Sequence, residues 1–316
     1  MILAHSLAQS ESDNIHKWDW SEVVDVASGK INQSTIDDVG PTERGGAELK
    51  RPEPALPPML FLLPGSIGYT PGMATFAASL SEVASIVPIR YPDLRSILAG
   101  ENTVAAMAKA AVDQIKRKQS TGDIRLLGHS LGGAVAFEVA TQLLQSGRSV
   151  KFLGILDTSI ARERRRYGAT FVRLLRSTRA NRLAAYRMAC RALAKTTERI
   201  GCEVGLAKLL DTHGRHRRFQ AASLRIKMEL QETLRSRAFY AWLASPKRAL
   251  PIAGTVFRCK RGGAPQALGW DDAFASLDVV QIAGGHIDLI AEPHLRTNRV
   301  LIEEALRQTY METRFC

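Results

Sequence analysis

The chain has 316 residues, 45% of them hydrophobic and 23% charged, and a formal net charge of +12. That length allows one large domain or two ordinary ones, and the composition excludes a disordered or fibrous chain. No apolar run reaches the roughly 18 residues a spanning helix needs, and the opening MILAHSLAQSESD lacks the basic region and longer apolar stretch of a secretory signal, so the expected compartment is the cytoplasm.

Residues 1–58 hold 5 basic and 10 acidic residues. An apolar patch around Trp18, Trp20, Val23 and Val24 gives way to a stretch rich in Gly, Pro and acids ending PEPALPP, which reads as an acidic leader and linker. From residue 59 the pattern changes. MLFLL (59–63) predicts a buried strand, MATFAASLSE (73–82) a helix, SIVPIRY (85–91) a strand and TVAAMAKAAVDQIKRK (103–118) a helix. DIRLLG (123–128) predicts the next strand, LGGAVAFEVATQLLQSG (131–147) a helix closed by Gly147, and VKFLGILD (150–157) another strand. Continuous apolar strands separated by helices predict a mostly parallel sheet covered on both faces, because parallel neighbours can be joined only by crossovers.

The alternation then stops. Residues 161–248 carry 18 Arg and 4 Lys against 6 acids, so this segment holds the whole basic excess of the chain. Its pattern is helical, as in FVRLLRSTRANRLAAYRMACRALAK (171–195) and SLRIKMELQETLRSRAFYAWL (223–243). Strands resume at IAGTVFRC (252–259) and DVVQIAG (278–284), and HLRTNRVLIEEALRQTY (294–310) predicts a last helix. The expected organisation is a core of 59–159 and 249–316 interrupted by a basic helical insertion at 160–248.

Gly128-His129-Ser130-Leu131-Gly132 fits G-x-S-x-G, and it falls where a predicted strand meets a predicted helix. A tight strand-to-helix turn strains the central residue and leaves no room for Cβ atoms beside it, which accounts for the flanking glycines. The hydroxyl of Ser130 is then raised above the carboxyl ends of the strands, where open α/β sheets bind ligands. A serine needs a base to act as a nucleophile. His286 leaves the predicted strand DVVQIAG on a Gly-Gly loop at the same edge, the order expected when serine precedes acid and acid precedes histidine. His129 reads as packed in the sheet and His294, after Pro293, as a helix-start residue.

The acid that orients the imidazole has two possible sources. Asp157 ends the strand FLGILD, whereas Asp271 and Asp272 are expected to open a helix, where acids are ordinary; Asp157 is therefore preferred. Of the amides that would stabilise an oxyanion, Leu131 supplies one at a helix N-terminus, and the turn LLPGSIGYTPG offers Ser66 and Ile67, of which Ser66 is chosen. The cysteines Cys190, Cys202, Cys259 and Cys316 show no C-x-x-C spacing, so neither a metal site nor a disulfide framework is expected.

GHSLGG, the aspartate of GILD, the GGH loop, the PGSIG turn and the segment ALGWDDAF together resemble the thioesterase domains that end nonribosomal peptide synthetases and polyketide synthases, over about residues 59–310. The resemblance implies an α/β-hydrolase fold without its first strands and a helical lid inserted after the aspartate strand. It also implies a serine acylated from a phosphopantetheine thioester on an acyl or peptidyl carrier protein, with no cofactor of the enzyme's own. By position, Ser130 becomes the nucleophile, Asp157 the acid, His286 the base, and the Ser66 and Leu131 amides the oxyanion hole. Free-standing editing relatives place their acid after the later strand, where this chain reads FRCKRGG and has none, so the likeness is to the product-releasing branch.

The arginines Arg162, Arg164, Arg165, Arg166, Arg173, Arg176 and Arg179 make a positive field suited to an acidic carrier protein. Few aromatics interleave with the arginines and no nucleic-acid motif appears, so nucleic acid is not the expected partner. Among the apolar residues between them, Leu183, Tyr186, Leu193, Phe239, Tyr240 and Trp242 are expected to pack the lid or line an acyl pocket. A simple esterase or lipase would share the same serine, histidine and acid, and a non-catalytic basic binding protein would not need them.

Overall fold

The computed structural model describes residues 57–161, 182–213, 217–260 and 264–312. Nearly all of the acidic leader and the seven arginines from Arg162 to Arg179 named above lie outside the described residues.

The chain alternates as its apolar pattern predicts: β1 (Met59–Leu63), α1 (Pro71–Ser79), β2 (Ser85–Pro88), α2 (Leu94–Leu98), α3 (Val104–Lys118), β3 (Ile124–His129), α4 (Leu131–Gln145) and β4 (Val150–Leu156). Three helices follow, α5 (Arg182–Arg199), α6 (Glu203–His213) and α7 (Arg217–Ala244), and then β5 (Leu250–Cys259), β6 (Phe274–Ile282) and α8 (His294–Glu312). The strands form one six-stranded sheet in the order β2-β1-β3-β4-β5-β6, and every neighbouring pair is parallel. After β1 the chain steps to one side for β2 and to the other for β3. The carboxyl ends of β1 and β3 therefore flank a crevice, the usual ligand position in such a sheet.

Successive residues of each strand point to opposite faces, and both faces are covered, which is why the strands read as unbroken apolar runs. Phe61, Leu63, Leu126, Leu153 and Ile155 meet α3 and α4, while Leu60, Leu62, Leu127, Phe152 and Leu156 meet α1 and α8. Each such side chain contributes about 1.5–3 kcal/mol by leaving water. Thr70 and Thr103 start α1 and α3 by accepting from the amides of Met73 and Ala106.

Helices α5, α6 and α7 stand between β4 and β5 and rest on the core through α7 and, at α2, through α6 as well. Ala238, Phe239 and Trp242 of α7 join the core beside Phe137 and Trp270. The insertion also neutralises part of its own charge. Glu229, 4% exposed, is paired with Arg191 and Arg225; Arg191 also holds Glu232, Arg237 holds Glu198, and Asp211 of α6 holds Lys227 of α7 and Arg95 of α2. Phe239 and Trp242 thus pack the insertion onto the core, whereas Tyr186, Leu193 and Tyr240 are 40%, 43% and 43% exposed. The side chain of Leu183 lies outside the described residues.

Two expectations change. The short helix α2 is absent from the sequence reading because five residues are too few for a recognisable period. Asp271 and Asp272 do not open a helix: they sit exposed in a turn that leads directly into β6. Trp270, buried and bonded through its indole N–H to the Thr158 carbonyl at 2.7 Å, ends the preceding turn and turns the chain into the strand.

Candidate active site

Ser130 joins β3 to α4 with φ 57° and ψ −122°, a backbone shape that costs a non-glycine residue about 1–3 kcal/mol. Neighbouring contacts hold it there. Its amide donates to the Leu156 carbonyl at 3.0 Å, and its carbonyl accepts the Thr158 hydroxyl at 2.5 Å and the Gly133 amide at 3.0 Å. The flanking glycines are required by distance: a Cβ on Gly128 would stand 2.1 Å from the Gly132 carbonyl oxygen, and one on Gly132 would stand 2.2 Å from that of Leu63.

The Ser130 Oγ lies 2.9 Å from His286 Nε2, and His286 Nδ1 lies 2.8 Å from Asp157 Oδ2. The structure therefore brings the three side chains into one hydrogen-bonded line from three strand ends, β3, β4 and β6. Asp157 is 1% exposed and sits at φ 51°. Its amide donates to the Phe257 carbonyl at 2.7 Å, and its Oδ1 accepts the Cys259 amide at 3.0 Å. Strand β5 thus grips the carboxylate from both sides and aims its remaining oxygen at the imidazole. The alternatives Asp271 and Asp272 precede β6, at its amino end. His286 follows the carboxyl end of that nine-residue strand, so a gap of roughly 25 Å separates them at 3.3 Å per residue.

The loop carrying His286 is built from its own set of contacts. Asn298 of α8, fully buried, accepts the Ala283 amide at 2.8 Å and donates to the carbonyls of Ala283 at 3.0 Å and Leu289 at 2.8 Å. Asp288 accepts the Gly285 amide and stands 3.7 Å from His294, whose ring fills the space beside Gly284. His129 contributes from the elbow. Its ring stacks on His286 with centroids 5.4 Å apart, and its Nε2–H donates to the His286 carbonyl at 3.2 Å. Burial, followed by the neighbouring His286, pushes the His129 imidazole down to about 4, so it remains neutral beside the imidazole that hydrogen-bonds Ser130.

Leu131 is the first residue of α4, and its amide belongs to a helix end whose leading N–H groups have no intrahelical acceptor. Gly65-Ser66-Ile67-Gly68 forms a turn closed by the Gly68 amide and the Gly65 carbonyl at 3.0 Å, which leaves the Ser66 and Ile67 amides unused by the turn. A Cβ on Gly65 would stand 3.5 Å from the Cβ of Ser130, so this turn lies directly against the serine. Ile67, 51% exposed, and Ile287, 87% exposed, rim the same region with apolar surface.

Thr158, His129 and Asn298 serve this arrangement without having stood out in the sequence as site residues, and Arg235 of α7 donates to the Ser66 carbonyl of the turn at 3.1 Å. Only Thr158 and His129 had a local signal, through adjacency to Asp157 and Ser130; Asn298 and Arg235 lie in ordinary helical pattern. Among the described residues no group of His, Cys, Asp and Glu is placed to hold a metal ion. No described helix is long and apolar enough to cross a membrane.

Residues 58–301 match the family model described as "Thioesterase domain". Among curated proteins the chain is 29% identical over 160 residues to enterobactin synthase component F of Escherichia coli strain K12, a match covering 50% of this chain and 12% of that protein. The chain therefore spans only a small part of the curated relatives it matches. Among solved structures it is similar to the Vlm2 thioesterase domain with 2,3-diaminopropionic acid bound with a dodecadepsipeptide, at 23% identity and TM-score 0.52 over 78% of this chain and 92% of that one. It is also similar to RedJ, a thioesterase from the prodiginine biosynthetic pathway of Streptomyces coelicolor, at 21% identity and TM-score 0.52 over 84% of this chain and 98% of that one. These likenesses identify the sheet and its helices as an α/β-hydrolase fold of the thioesterase type.

Proposed function

The chain belongs to the thioesterase domain family, and from that membership we propose that Ser130 cleaves an acyl, polyketide or peptidyl thioester carried on the phosphopantetheine arm of a carrier protein. The observation that carries the proposal is the line Ser130 Oγ, His286, Asp157, with its two hydrogen bonds of 2.9 and 2.8 Å. His286 Nε2 takes the hydroxyl proton as Oγ bonds to the thioester carbonyl carbon. The carbonyl oxygen becomes an oxyanion facing the Leu131 amide and the turn amide of Ser66. The C–S bond then breaks, the imidazolium returns its proton to the departing thiolate, and an acyl-serine ester remains. Asp157 stays ionised throughout, holding the Nδ1 proton and stabilising the imidazolium. Water, or a nucleophile of the acyl chain itself, repeats the sequence in reverse and releases the product as an acid or a ring.

The enzyme needs no cofactor for these steps, because the leaving group is the carrier's own thiol. Helices α5, α6 and α7, within the insertion at 160–248, act as a lid over this edge, and the apolar rim of Ile67 and Ile287 suits an acyl chain. The basic insertion suits the acidic surface of a carrier protein.

Incubating the chain with acyl carrier substrates and weighing it intact tests the reading. The expected result is an acyl adduct on the unmodified chain, none on Ser130→Ala, and turnover lower by about 10⁴-fold or more in the variant. Turnover that survives the substitution refutes the assignment. A carboxylesterase would instead favour a small oxygen ester over the carrier thioester in kcat/KM.

A further inference from the structure

One charged side chain of the inserted helices leaves the basic surface and enters the core beside the serine. Arg235 of α7 is 5% exposed, and among the described residues it makes no ion pair. It donates instead to two backbone carbonyls, Nη1 to Ser66 at 3.1 Å and Nη2 to Pro92 at 3.0 Å, with its guanidinium 5.6 Å from the ring centre of Tyr91. The Tyr91 hydroxyl in turn donates to the Pro64 carbonyl at 2.8 Å. Burial lowers the arginine's affinity for its proton from the usual value, and Tyr91 and Asp93 offset part of that. A guanidinium nonetheless stays charged at neutral pH. Keeping a cation here is costly, and two carbonyl hydrogen bonds and an aromatic ring offset only part of that cost.

A trans peptide is planar, and its C=O and N–H point in opposite directions. The direction of each amide in the turn is therefore set by whatever holds the carbonyl of the preceding residue. Tyr91 holds Pro64 and so directs the Gly65 amide. Gly68 holds Gly65 and so directs the Ser66 amide. Arg235 holds Ser66 and so directs the Ile67 amide. With the peptide planes on both sides of Ser66 pinned, its backbone has no freedom left. The cation also polarises the Ser66 carbonyl, which strengthens donation from the N–H of the same peptide, that of Ile67, the turn's second candidate donor; the Ser66 N–H is reached by Arg235 through the Ser66 backbone torsions.

We propose that Arg235 is a positioning residue through which helix α7 sets the oxyanion-binding turn Gly65–Gly68, so that the inserted helices govern transition-state stabilisation as well as access. The inference rests on the thioesterase reading above. It predicts that an insertion displaced from the core takes the Ser66 carbonyl with it and disarms the site, coupling lid position to chemistry.

The test compares Arg235→Met, which keeps length and loses every donor, with Arg235→Lys, which keeps the charge and loses the fork. Each is assayed on a short acyl thioester, with rates divided by the serine titratable with a fluorophosphonate. Displacing an oxyanion donor costs about 10- to 100-fold in rate. The expected result for Arg235→Met is that fall in kcat, a KM within about twofold, and a boronic acid Ki weakened by the same factor as kcat. Arg235→Lys is expected between the two. Arg235→Gln, which keeps a polar donor on a shorter stem and loses the charge and the fork, provides the same correlation should Arg235→Met fail to fold. Variants with less titratable serine but unchanged kcat and Ki per site would overturn the inference alone, showing Arg235 to be an anchor. Absence of Ser130-dependent turnover in the unmodified chain would overturn the thioesterase reading and this inference with it.

Discussion

Asp157→Asn changes one atom of the triad, and the contacts of that atom determine the size of the effect. In the native chain Oδ1 accepts the Cys259 amide at 3.0 Å and Oδ2 accepts from His286 Nδ1 at 2.8 Å. An asparagine offers one acceptor and one donor to those two partners. The Cys259 N–H can only donate, so the amide oxygen must turn toward it; the opposite orientation sets two donors face to face and leaves a buried N–H unsatisfied, at about 1–3 kcal/mol. The amide NH₂ then meets Nδ1, which must become the acceptor, and the ring proton moves to Nε2. That proton points at the Ser130 Oγ, and the base has no lone pair for the hydroxyl. The wrong tautomer in a triad of this type costs about 10⁴ in kcat, or about 5.4 kcal/mol of transition-state stabilisation. The assay is kcat on an acyl thioester per titrated serine, with thermal denaturation run alongside to show that the variant is folded. A folded Asp157→Asn variant within tenfold of the native kcat would refute this account of the acid.

Two further substitutions probe the supports of the imidazole. Asn298→Ala strips partners from the Ala283 amide and from the Ala283 and Leu289 carbonyls; the expected cost is about 3 kcal/mol in chemical denaturation, with a fall in kcat per titrated serine as the His286 loop loosens, and an unchanged kcat would show the loop to be held by Asp288 and His294 alone. His129→Phe keeps the stack on His286 but removes a titrating group. Folding lowers the His129 pKa from 6.5 to about 4, so the unfolded chain binds the extra proton first and native stability declines as pH falls through that window, by up to about 3 kcal/mol. The variant's stability-versus-pH curve should lack that part of the decline, and curves that run parallel between pH 6.5 and 4 would rule it out.

Much of the architecture is legible in the chain itself, for local reasons. Strands buried on both faces must be apolar throughout, so 59–63, 123–128 and 150–157 announce a covered parallel sheet. A turn as tight as the one at Ser130 admits no Cβ on either side, so Gly128 and Gly132 mark it before any coordinate is known. A Gly-Gly loop after a late strand points to His286 in the same way. The remaining decisions required residues far apart in sequence to meet. Which aspartate faces the imidazole depends on strand direction: β6 runs away from Asp272 and toward His286, and only β4 delivers an acid to the edge where β5 can grip it. Asn298 and Arg235 look like ordinary helix residues, and His129 like an ordinary strand end, because the groups they hydrogen-bond are backbone groups, which have no letter in a sequence. Arg235 lies 169 residues from the Ser66 carbonyl it holds, and one arginine among the 18 of a basic segment carries no mark of its own. Packing, which places a guanidinium against a carbonyl and excludes water around both, is what separates it from the rest.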